Sequence, residues 1–144
     1  MRSGKVKLVY KSFETATANG PDANMWSAQQ SAAYAAGAQD KAWNYILLFY
    51  RAQGQEGASY VNTAFLTGLA KEIPGLNYQK WNSDRFNPTY ASQVQQENKV
   101  AASLNFQGQP GTPALIASGP SSQTRPVAGN YPYSSVQSMI KSVS

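Results

Sequence analysis

Between Asn24 and Phe106 the sequence is a succession of helical segments punctuated by glycine and proline, and this block limits the architectures open to the chain. Asn24 is placed to cap a helix from Met25 to about Ala36, with Gly37 as its stop. Ala28, Ala32, Ala33, Ala35 and Ala36 give that helix small side chains, so a neighbouring helix can approach closely. Asp40 is expected to cap a second helix reaching about Ala52, in which Trp43, Ile46, Leu47 and Tyr50 follow helical spacing and Phe49 adds another apolar position. Tyr60 or Asn62 leads into a third, carrying Phe65, Leu66, Leu69 and Ala70 and ended by Pro74-Gly75. A short helix follows over residues 76–86. Pro88 suits the first turn of a long helix to about Leu104, with Ala91, Val94, Ala101 and Leu104 facing inward.

The flanks carry β patterns. Over residues 5–13, Val6, Leu8 and Tyr10 alternate with Lys7, Val9 and Lys11, which predicts a strand. Residues 114–118 form a short apolar strand pattern, 119–123 a hairpin connection and 124–128 its partner. A final amphipathic helix is expected over residues 133–143 through Val136, Met139, Ile140 and Val143. The order β, helical block, β-hairpin, α predicts an α/β chain with a helical insertion, folded as a single domain over residues 1–144. Apolar residues make up 42% of it, enough for one packed core. No apolar run approaches the roughly 20 residues of a membrane helix. No signal peptide is expected, since the first residues run directly into the strand pattern; a lost upstream segment would leave secretion open.

Cysteine and histidine are both absent, so thiol nucleophiles, imidazole bases, catalytic triads containing histidine and His/Cys zinc sites are excluded. The carboxylates are isolated in sequence and suggest neither glycosidase nor metal chemistry, and no cofactor motif is present. Asp84-Arg85 and Glu97 near Lys99 are read as solvated charges, and Trp43 and Tyr50 as packing. The net charge of +5 comes from scattered lysines and arginines, which argues against a specific nucleic-acid footprint.

Gly111, Thr112 and Pro113, followed by the apolar Ala114-Leu115-Ile116, a hairpin and a last helix, resemble the cis-proline loop of thioredoxin-fold proteins. The wider pattern is similar to the DsbA-like branch of thiol-disulfide oxidoreductases. The 4–10 segment looks like its second strand; the Ala-rich helix with Ala42-Trp43-Asn44-Tyr45 and Leu48-Phe49-Tyr50 looks like its inserted helical region. The resemblance divides the chain into a strand at 5–13, a helical insertion at 24–106, and the cis-proline loop, hairpin and C-terminal helix at 111–144.

The resemblance implies a thioredoxin-like α/β fold lacking its first strand and the start of its first helix, where the family carries Cys-x-x-Cys. The family's activity is protein disulfide exchange outside the cytoplasm, but a chain without cysteine is expected to be redox-inactive, and a fragment is the expected explanation. The alternative expectation is a non-catalytic module that holds extended polypeptides at Gly111, Thr112 and Pro113, with the Thr112–Pro113 bond cis. Strand edges left without the first strand are expected to favour self-association.

Overall fold

A computed structural model describes residues 6–14, 25–55, 58–104, 112–120, 122–129 and 131–144. Its helices are α1 (Met25–Gly37), α2 (Ala42–Ala52), α3 (Thr63–Lys71), α4 (Tyr78–Asp84), α5 (Pro88–Ser103) and α6 (Tyr133–Lys141). Two strands of two residues each, β1 (Ala114–Leu115) and β2 (Val127–Ala128), pair antiparallel. The chain divides into two compact bodies, Met1–Asn98 and Lys99–Ser144.

These elements correct the expected α/β thioredoxin-like class. An α/β fold is built on a mostly parallel sheet covered by helices, whereas the described residues are mainly helical and their sheet is one short antiparallel pair. The predicted strand at 5–13 is the main loss. Residues 6–14 are described without strand pairing. Ser12 N–H and Glu14 N–H donate instead to side chains on α5, Glu97 Oε2 at 3.0 Å and Asn98 Oδ1 at 3.0 Å. An alternating β-former pattern is a weak instruction when nothing lies alongside to complete a ladder.

The helices sit where their local signals put them. Asn62 caps α3 by accepting from Phe65 N–H, and Asn77 caps α4 by accepting from Lys80 N–H. Pro88 occupies the first position of α5, where its missing N–H costs no helical bond. Pro74-Gly75 turns the chain after α3, and Gly75 takes φ +74°, a conformation that glycine adopts readily. Asp40 is a correction: it does not cap α2, which starts after Lys41 with no side-chain cap. Asp40 instead takes φ 59° in the turn closing α1, where Asp40 N–H donates to Gly37 O and Lys41 N–H to Ala36 O. Aspartate is among the residues that tolerate this left-handed geometry.

In the Met1–Asn98 body the core is helix on helix. Ala32, Ala35 and Ala36 of α1 let it pack closely against Tyr45 of α2, Leu66, Leu69 and Ala70 of α3 and Trp81 of α4. Trp81 is completely buried; its indole N–H donates to Ala32 O at 2.9 Å and its ring lies against Tyr45 at 5.9 Å between centroids. Tyr45 donates its own hydroxyl to Leu66 O at 3.0 Å, so both large polar-tipped aromatics are satisfied in the interior. The inward face of α2 is therefore Tyr45 with Leu48 and Phe49. Trp43, Leu47 and Tyr50, expected to pack, are exposed. Apolar side chains surround α2 almost completely, and spacing alone does not choose which face turns inward.

In the Lys99–Ser144 body, Ala114 pairs with Ala128 and Leu115 with Val127. Further along, Thr124 N–H donates to Ala117 O and Ser118 bridges to Gln123. Between these two registers Ile116 stands opposite both Arg125 and Pro126, which is a β-bulge. Proline is tolerated there because a bulge releases a residue from the ladder. Gly119 lies against the backbone of Val143, where a Cβ would overlap the Val143 carbonyl, so the C-terminal turn closes over a position that only glycine fits.

Candidate functional site

Of the three loop residues singled out in the sequence, Gly111 lies outside the described residues. Thr112 and Pro113 are exposed, and the bond between them is cis. Pro113 O accepts from Gly129 N–H at 2.9 Å, which places Pro113 opposite Gly129 in a hydrogen-bonded position. Antiparallel ladders alternate, so Ala114 is a non-hydrogen-bonded position and Leu115 a hydrogen-bonded one. The N–H and C=O of Ala114 thus point away from β2. The two-stranded sheet is β1 and β2 alone among the described residues, so this outer side of β1 carries no strand. What the arrangement can do chemically is hydrogen-bond to another extended backbone.

A second constellation lies in the Met1–Asn98 body and was missed in the sequence. Glu97, read there as a solvated charge, is buried on α5. Its Oε2 accepts from Ser12 N–H at 3.0 Å and Ser12 Oγ at 3.1 Å; its Oε1 accepts from Lys11 Nζ at 2.9 Å. Tyr34 of α1 donates to the same carboxylate, and Gln93, one turn back on α5, approaches it at 3.4 Å. Burial alone would raise the Glu97 pKa, but the hydrogen bonds from Tyr34, Lys11 and Ser12 outweigh it and hold the group below the ordinary carboxylate range. The phenols are pushed the other way. Tyr34 is raised by burial and by its bond to Glu97, and Tyr10 by burial and by neighbouring Tyr50, so both remain neutral donors.

The signal for this cluster was long-range. Ser12 and Lys11 are 85 and 86 residues from Glu97, and no local spacing links them. Ser12 is 1% exposed, and its burial exists only because the carboxylate meets both its backbone and its hydroxyl.

No group of three or more metal-ligating side chains is assembled among the described residues. Among those residues, no helix is long and apolar enough to cross a membrane. Comparison with protein-family models, curated proteins and solved structures finds no match.

Proposed function

We propose that this chain is a non-catalytic polypeptide-binding module that takes an extended segment beside β1. The observation that carries the proposal is the outer edge of β1, beside which no described strand lies: Ala114 presents its N–H and C=O away from β2, next to the exposed Thr112 and Pro113. Main-chain groups in a row recognise another main chain rather than a particular side chain, and strand addition of this kind gives affinity without strict sequence preference. The resemblance to the DsbA-like family supports the same use of the loop, since in that family these residues hold substrate chain. It also supports an extracytoplasmic setting. The family's disulfide exchange is not carried over, because the chain has no sulfur nucleophile.

Ala114→Pro tests the proposal. Proline removes the outward N–H while leaving the bonds between β1 and β2 in place. Fluorescence anisotropy with a labelled, unfolded polypeptide is expected to show binding by the parent chain and at least a roughly fivefold loss in the variant, as one backbone bond at an interface contributes about 1 kcal/mol or more. Equal binding by both chains contradicts it. A second copy of the chain can offer the same kind of edge; sedimentation at rising concentration separates that self-pairing from capture of other polypeptides.

A further inference from the structure

We infer that Glu97 is an acid-operated latch that holds residues 10–14 as a strap along α5, and that loss of its charge releases the strap while the helical core stays folded. This is independent of the β1 edge. The strap makes no strand ladder; its described fastenings to α5 are Lys11 and Ser12 on Glu97, and Glu14 N–H on Asn98 Oδ1. Three of these four bonds converge on one carboxylate. The ionised group has acceptor sites for all of them, whereas a protonated carboxyl turns one oxygen into a donor and loses the ion pair with Lys11. Ser12, buried with both of its polar groups aimed at Oε2, then keeps only a weaker neutral acceptor in place of the charged one, and solvent becomes the better partner for that stretch of backbone.

The groups facing Glu97 come from several elements. Lys11 and Ser12 belong to the strap, Tyr34 to α1 and Gln93 to α5. Tyr10, also on the strap, adds a neutral phenol, hydrogen-bonded to Gln30 of α1 and Tyr50 of α2. Lys11 is the only cation among them, and its side chain is 62% exposed, so the attraction it supplies is screened. Hydrogen-bond matching therefore dominates the latch. The sign follows from the lowered pKa. Glu97 stabilises the strapped state above the ordinary glutamate range, and that stabilisation is lost as pH falls through the lowered folded-state value. A strap that leaves also takes Tyr10 off the exposed Trp43 ring, now 6.4 Å away in an edge-on contact.

Two measurements on the full chain test the latch. In the first, amide NMR follows Ser12 and Glu14 from pH 7 down to the lowest pH at which the helices persist. Their shifts are expected to move to free-chain positions below the ordinary glutamate range, before the helix signals of α1 and α3 change. Simultaneous loss of strap and helices overturns the inference, as does a strap still fastened at the lowest pH at which the helices persist. In the second, Glu97→Gln at pH 7 is expected to raise the exchange rate of the Ser12 amide at least tenfold with unchanged helical circular dichroism. Asn98→Ala, which removes only the Glu14 fastening, is expected to keep the acid transition. Wild-type protection of Ser12 in Glu97→Gln overturns the latch; if that variant unfolds, the wild-type titration decides.

Discussion

At the residue scale, Trp81 couples three helices through one side chain. It is fully buried, donates to the α1 backbone at Ala32 and stacks on Tyr45 of α2. Trp81→Ala would remove the largest side chain of the interior and leave Ala32 O without its indole partner. A loss of about 3–5 kcal/mol is expected, read as a shift in the urea midpoint. Trp81→Phe keeps most of the volume but not the N–H, and is expected to cost less, about 1–3 kcal/mol. Equal losses for the two variants would mean that volume contributes little at this site. Trp43 is the contrast. It is 42% exposed, and its substitution by alanine is expected to leave stability within about 1 kcal/mol. Both residues are tryptophans in helices. Helical spacing assigned packing to Trp43, whereas the tertiary partners at Ala32 and Tyr45 make Trp81 the buried one.

At the element scale, the helix boundaries were legible because caps act locally. Asn62, Asn77 and Pro88 each signal a start within three residues of the group they satisfy. Asn62→Ala is expected to cost about 0.5–2 kcal/mol by leaving Phe65 N–H unbonded at the start of α3. Asn62→Ser or Asn62→Asp is expected to retain most of that stability; a full loss with either would show that the cap bond is not the cause. The strand at 5–13 was not legible, because β structure depends on an edge to pair with and the same residues found side-chain acceptors on α5 instead. The hairpin lies between these cases. Its turn chemistry located both strands, but Pro126 and the bulge shorten the regular ladder to two residues on each side.

At the scale of the whole molecule, the described architecture is a helical core in Met1–Asn98 and a small hairpin-and-helix body in Lys99–Ser144. The first has a polar anchor at Glu97, the second a strand edge at β1 beside which no described strand lies. Sequence reasoning reached the second because Thr112, Pro113 and the following apolar residues are contiguous. It missed the first because Lys11 and Ser12 meet Glu97 across more than eighty residues of chain. The absence of cysteine removes disulfide exchange from what this chain can do, and the function proposed in its place is backbone recognition at β1. The most direct test is an amide NMR titration of the whole chain with an unfolded polypeptide. Binding at β1 predicts that the Thr112, Ala114 and Ile116 amides shift and that the Ala114 amide becomes protected from exchange, with Leu115 and Val127 still paired. An Ala114 amide that stays unprotected while the polypeptide binds, or shifts confined to the exposed face of α2, would contradict it.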